Sequence, residues 1–145
     1  LLEARHLDGY FVSNEADLYY LTGFLSEGFY GLATRKGTWL FAAALLAGQG
    51  REHAKGCRLV VGKRLSLALA DLKAKNKLKR IGFDPEQVNY RLGAMLLKNG
   101  LTAENNPLAD LRIFKDQHEL NCLSRACRIT ADSPAFRALA TAEIG

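Results

Sequence analysis

The stretch FYGLATRKGTWLFAA, residues 29–43, constrains the fold more than any other part of this chain. Two aromatic-rich runs flank Arg35, Lys36 and Gly37, a group with the composition of a tight turn. A hairpin is expected here, and a hairpin makes one pair of strands antiparallel. The surroundings read differently. GYFVS (residues 9–13) is a short apolar run of the buried-strand type. After it, Asn14 can cap a short helix, with Asp17 adding negative charge in the first turn and Gly23 ending it. From Ala42 to about Lys55 the pattern is Ala/Leu-rich and helical. CRLVVG (57–62) reads as a strand, and LSLALADLKAKN (65–76) as a helix that places Leu65, Leu69 and Leu72 on one face. RIGFD (80–84) is a strand ending before Pro85, VNYRLGAMLLKNG (88–100) is a helix stopped by Asn99 and Gly100, and LTAEN (101–105) is a last edge strand. Beyond Pro107 the chain is helical in character, with one interruption at Ser133-Pro134, and from about Asp116 onward a helix is expected with an apolar stripe that includes Leu120, Leu123 and Ala126. Strands alternating with helices around one hairpin predict an α/β fold with a mixed sheet flanked by helices.

The chemistry is harder to find. HELNC (118–122) resembles a zinc-binding H-E-x-x-H with Cys122 in place of the second histidine. His118 and Cys122 share a helix face, but a catalytic zinc needs a third protein ligand, and no carboxylate pattern surrounds His6 or His53. The glycines of AGQGREHAKG lack the strand-then-G-x-G-x-x-G order of a dinucleotide site. No serine lies in a G-x-S-x-G elbow, and Asp84, Glu86 and Asp110 are scattered. The residues thus indicate no catalytic group and no metal site.

Composition narrows the remaining classes. With 145 residues, 48% of them hydrophobic, the chain can bury a real core. No uncharged apolar run is long enough to span a bilayer, and Glu3, Arg5, His6 and Asp8 interrupt any signal-peptide centre. The first residue is not methionine and falls in mid-pattern, so residues upstream are expected. Cys57, Cys122 and Cys127 form no C-x-x-C pair. The last two would sit about 140° apart on a helix, so reduced thiols in a cytoplasmic protein are expected. The net charge of +5 comes locally from KAKNKLKR, residues 73–80. No aromatic groups interleave it, so it reads as a solvated helix end and not as a nucleic-acid footprint.

One resemblance supplies what the residues alone do not. DGYFVSNEADLYYLTGF is similar to the start of the N-terminal domain shared by prolidase, aminopeptidase P and creatinase, the pita-bread enzymes. Tyr20, Leu21, Thr22, Gly23 and Phe24 match its Y-L-T-G-F string. RIGFDPE resembles the family's I-G-F/I-E/D strand. Leu111, Arg112, Lys115, Glu119, Leu120, Leu123 and Ala126 fall at the places of its linker pattern, L-R-x-x-K-x-x-x-E-[IL]-x-x-[LM]-x-x-A. Asp17 stands where the family commonly has Asn, and the T-D-x-R-Y that many members carry after the hairpin is missing.

The resemblance implies a ribonuclease H-like N-terminal domain over residues 1–110, and a helical linker over 111–145 that leads toward a catalytic domain. It also implies that this part holds no cofactor. A dinuclear divalent centre (Mn, Co or Zn) would lie in that C-terminal domain, on two Asp, one His and two Glu. Expected partners are the chain's own catalytic domain, a second copy in a homodimer and a proline-containing peptide substrate, with no nucleic acid and no membrane. The domain's implied roles are dimerisation and roofing the active site of an Xaa-Pro dipeptidase or aminopeptidase. The alternative is a binding module in a non-enzymatic relative or pseudoenzyme. Thr22, Gly23 and Phe24 are then the structural turn. Tyr19 and Tyr30 are candidates for an exposed substrate wall or interface, with about three of Tyr19, Tyr20, Phe24, Phe29 and Tyr30 expected inside.

Overall fold

A computed structural model describes residues 2–25 and 27–134. The chain divides into two compact units, Leu1–Ala109 and Asp110–Gly145. The first begins with strand β1 (Gly9–Val12), helix α1 (Glu15–Thr22) and the hairpin strands β2 (Phe29–Thr34) and β3 (Gly37–Ala42). Helix α2 (Ala47–His53), β4 (Cys57–Val61), α3 (Leu65–Lys75), β5 (Ile81–Phe83), α4 (Tyr90–Lys98) and β6 (Thr102–Ala103) follow. Helix α5 (Pro107–Ile113) runs across the boundary, and α6 (Gln117–Ala131) lies in the second unit.

The six strands form one sheet in the order β4-β3-β2-β1-β5-β6. β1 pairs antiparallel with β2 and β2 antiparallel with β3, while β3–β4, β1–β5 and β5–β6 are parallel. Only β2 therefore opposes the rest, and the mixed α/β sheet read from the sequence is what the chain forms. The hairpin closes where expected: Thr34 is in register with Gly37, and the Thr34 hydroxyl accepts the Lys36 N–H at 3.2 Å.

Side chains alternate across the strands and build two apolar layers. Phe11, Leu32, Trp39, Phe41, Ile81 and Phe83 project to one face, where Ala68 and Leu69 of α3 and Leu96 of α4 cover them. Leu7, Tyr10, Val12, Phe29 and Leu40 project to the other, against Leu18 of α1 and Leu108 of α5. Leu65 and Leu72 join the first layer beside Leu69, as the helical spacing of α3 required. Each large side chain sealed in these layers contributes about 1.5–3 kcal/mol relative to exposure. At Gly31 a Cβ would come within 2.9 Å of Leu18 Cδ2, so the absence of a side chain lets α1 lie directly on β2.

Two expectations need correction. The helix foreseen from Ala42 starts later: Ala42 still pairs in β3, a 3₁₀ turn occupies Ala44–Leu46, and α2 begins at Ala47. Leu40 and Phe41 lie in the hairpin strand as expected, and Ala42 is buried with them in the sheet, so sheet pairing overrides its place at the start of the Ala/Leu-rich run. The tail carries an additional break before Ser133-Pro134, between Ile113 and Gln117. There Asp116 starts α6 with a capping box: its carboxylate accepts the Glu119 N–H at 2.8 Å, and Glu119 accepts the Asp116 N–H at 2.8 Å. Helix α6 ends at Ala131, before Ser133-Pro134, and the expected tail beyond Pro134 lies outside the described residues.

Just before β1, Asp8 accepts the backbone N–H groups of Arg80 at 2.9 Å and Lys79 at 2.7 Å, tying the entry of β1 to the entry of β5. These amides, Arg80's first, hold its carboxyl below the usual 3.8. Asp8→Asn should lower stability by ~1 kcal/mol at neutral pH, allowing for solvent screening at this accessible site. Because the folded value is the lower one, the Asp8 contribution is complete above 3.8 and disappears as pH falls through the depressed value. Urea melts of both proteins should therefore differ at pH 7 and converge in strong acid.

Candidate functional site

The stretch with the most recognisable sequence, residues 14–24, folds as a capped helix and turn. Asn14 Oδ1 accepts the Asp17 N–H at 2.8 Å, giving α1 its N-cap. Asp17 is fully buried and does more than charge the first turn. Its Oδ2 also accepts from the side-chain amide of Asn14, and from that of Asn106 at 2.6 Å. The start of α1 is thereby fastened to the segment after β6, a link no local sequence signal announces.

The other end of α1 closes on Gly23, whose φ of 65° and ψ of 12° are left-handed, and whose N–H donates to Tyr19 O at 2.7 Å. Thr22 is buried. Its hydroxyl donates to Leu18 O at 2.7 Å and accepts the Phe24 N–H at 3.3 Å, while its carbonyl accepts the Lys55 N–H at 2.9 Å. Phe24, half-buried, stands edge-on to Phe29 at 5.2 Å and stacks on the His53 ring at 5.8 Å. Thr22, Gly23 and Phe24 thus form an ordered turn locked to the α2–β4 connection.

The aromatic residues around this turn do not converge on one surface. Tyr19 and Tyr20 lie exposed on α1, at 55% and 43%, and Leu25 at 61% follows the turn. Phe29 is buried, and Phe24 and Tyr30 are half-buried, so one of the five is fully inside where about three were expected. Tyr30 is also less exposed than expected. Its position on β2 sends it to the face opposite α1, where it stacks on Phe11 at 5.7 Å. Tyr19 and Tyr30 consequently sit on opposite sides of the sheet and cannot line a single wall.

Beneath α1, burial pushes the Tyr10 phenol well above its ordinary pKa, and the nearby Asp84 and Asp17 carboxylates add to the effect. Burial likewise raises the Cys57 thiol. Neither shift makes a reactive group at neutral pH, since both favour the neutral form.

The remaining candidate features resolve separately. His118 Nε2 and Cys122 Sγ lie 3.7 Å apart on one exposed face of α6. Among the described residues, no group of three or more His, Cys, Asp or Glu could hold a metal ion. The basic run is dispersed: Lys73 donates to the carbonyls of Asn99 and Gly100 at the end of α4, and Arg80 pairs with Glu104. Cys57, Cys122 and Cys127 are free thiols. Among the described residues, no helix is long and apolar enough to cross a membrane.

The described residues thus form a mixed six-stranded sheet with helices on both faces and a capped aromatic turn. Over residues 1–113 the sequence matches the Creatinase/Prolidase N-terminal domain, and the chain belongs to that family. None of the curated proteins matches it significantly in sequence. Among solved structures, prolidase from Pyrococcus horikoshii OT3 superposes with a TM-score of 0.76 at 20% identity, over 98% of this chain and 41% of that one. Xaa-Pro dipeptidase from Bacillus anthracis gives 0.72 at 18% identity, over 83% of this chain and 35% of the other. The aminopeptidase P (Xaa-Pro aminopeptidase) from Streptococcus thermophilus gives 0.69 at 22%, over 77% and 89%. The chain therefore spans well under half of the first two structures.

Replacing Gly23 tests the turn directly. A Cβ there meets nothing within 4 Å, so Gly23→Ala should cost about 1–2 kcal/mol of left-handed strain alone, and Gly23→Asn less. Phe29→Ala should cost about 3–5 kcal/mol, and half-buried Phe24→Ala roughly half of that. Urea midpoints of the four variants check this ordering.

Proposed function

We propose that this chain is the non-catalytic N-terminal part of an Xaa-Pro dipeptidase- or aminopeptidase-like metallopeptidase. In this reading it helps two copies associate and roofs an active site carried by other residues. The observation that carries the reading is the match of nearly the whole chain to 41% of a prolidase. A two-metal hydrolase needs several carboxylate or imidazole ligands around one point, and no such group occurs among the described residues. These residues do not fit the dinuclear centre, so no catalytic step passes through them. The metal, and the attack of water on the peptide bond, belong to the C-terminal domain of the parent protein.

The exposed side of α1 is the part of this domain best suited to meet another surface. Tyr19 and Tyr20 present rigid amphipathic rings with hydroxyls that tolerate a wet boundary. Tyr30, packed on Phe11, supports the sheet from its other face.

Two experiments test the proposal. The chain alone, dialysed against excess manganese or zinc, should retain no stoichiometric metal and hydrolyse no Xaa-Pro peptide. One tightly held equivalent, lost on changing His118 or Cys122, would refute the assignment. A parent sequence that continues without the Asp, Asp, His, Glu, Glu ligand set would instead identify a binding module. In the full-length protein, Tyr19→Ala should reduce peptide turnover or weaken the dimer while leaving the melting temperature nearly unchanged. Tyr30→Ala should lower the melting temperature, because it removes a ring packed against the core.

A further inference from the structure

Among the described residues, strand β4 closes one end of the sheet, with β3 on one side and no strand on the other. Its pairing fixes the direction of every backbone group along it. Gly62 donates its N–H to Ala42 O at 3.3 Å, and Ala42 is in register with Val61. In a parallel ladder this turns the amides and carbonyls of Arg58, Val60 and Gly62 toward β3. Cys57, Leu59 and Val61 present theirs outward, where no strand of the described residues meets them.

The side chains along this edge carry a matching pattern. Arg58 is exposed and held in place, its guanidinium 5.2 Å from the centre of the Trp39 ring. Two residues on and on the same face, Val60 opens onto a cleft of about 130 Å³ between β4 and α3. Val60, Ala68 and Leu72 give the cleft an apolar floor, and Lys63, Asp71 and Lys75 form its rim. Lys63 neutralises Asp71 at 2.7 Å, so the rim remains net positive. Lys55 and Arg64 flank the strand. Among the described residues, Lys55, Arg58, Arg64 and Lys75 form no ion pair.

We propose that the β4 edge is a docking site for an extended acidic peptide segment, which adds to the sheet as a further strand. Its backbone bonds the outward groups of Cys57, Leu59 and Val61. One apolar side chain enters the Val60–Ala68–Leu72 cleft, and a carboxylate two residues away meets Arg58. A second copy of this chain suits the edge poorly. Antiparallel self-pairing centred on Leu59 uses all three outward positions, but it sets Lys55 of one copy toward Lys63 of the other and leaves Arg58 without an acid.

The test is fluorescence anisotropy of short labelled peptides titrated with the chain at low salt: a Glu-Thr-Val-Thr repeat (Glu-Val), which sets Glu and Val two residues apart on one face, the same repeat with Lys for Glu (Lys-Val), and the Glu-Val repeat with a central proline. Val61→Pro removes an outward N–H without breaking a bond to β3, and Arg58→Glu reverses the exposed charge. The Glu-Val peptide should bind, weaken as salt rises, and lose roughly tenfold or more in affinity for either variant. The Lys-Val and proline-containing peptides should not bind. Equal binding of Glu-Val and Lys-Val, or unchanged affinity in both variants, overturns the proposal. So does an absence of any binding, which would leave the cations as mere guards of the edge. A dimer in sedimentation that Val61→Pro dissociates would assign the edge to a second copy instead. Thermal melts establish that each variant is folded, and if Val61→Pro is not, Arg58→Glu decides.

Discussion

Both halves of the sheet depend on β1. Four residues, Gly9 to Val12, pair antiparallel with β2 on one side and parallel with β5 on the other, and all four are buried. Phe11 contributes to one apolar layer while Tyr10 and Val12 contribute to the other, so a single short strand couples the two cores. Strand register is sensitive to a one-residue slip, which would exchange the faces of Tyr10 and Phe11. Asp8 opposes such a slip from the N-terminal end through its bonds to the amides of Lys79 and Arg80. At the other end, Ser13 donates to Gln87 O at 2.9 Å, and Asn14 begins α1 at once. The strand is short because polar anchors fix it on both sides.

From this anchor the aromatic turn acquires its order. α1 lies on β2 because Gly31 offers no side chain, and its ends are tied to distant segments by Asp17–Asn106 and by Thr22–Lys55. Fixing both ends of an eight-residue helix matters, because a helix this short has little stability of its own. Anchoring both ends also fixes the backbone that carries the exposed rings of Tyr19 and Tyr20, so less backbone freedom remains to be lost on association.

Much of this was legible in the sequence, for local reasons. The Asn14 cap, the Gly23 stop, the Arg35-Lys36 turn and the leucine spacing of α3 each rest on neighbours within a few residues. The features that were not legible depend on distance or on competition. Asp17 finds Asn106 across 89 positions, and no single-chain pattern pairs them. Ala42 opens an Ala/Leu-rich run that suits a helix by composition, but it is claimed by the sheet. Tyr30 looked like part of the cluster around Gly23, yet strand alternation sends it to the other face. The last helix begins where it was expected, near Asp116, and the D-x-x-E of Asp116 and Glu119 is its local signal.

The second unit makes a further physical point about what this chain is suited to do. α6 contains no buried residue, and Leu120, Leu123 and Ile129 on it are exposed, as are Ile113 and Phe114 just before it. Its capping box contributes about 1 kcal/mol, and a fifteen-residue helix of mixed composition is marginal in water without packing. Leu120, Leu123 and Cys127 fall on one side of the helix by their spacing, whereas His118, Cys122 and Ile129 fall on another. An amphipathic helix of this kind gains its main stabilisation by laying its leucine side against an apolar surface. That need agrees with the proposed place of the chain in a larger peptidase. It also explains why the linker pattern is set by Leu120, Leu123 and Ala126, while the residue at His118 is left without a structural task.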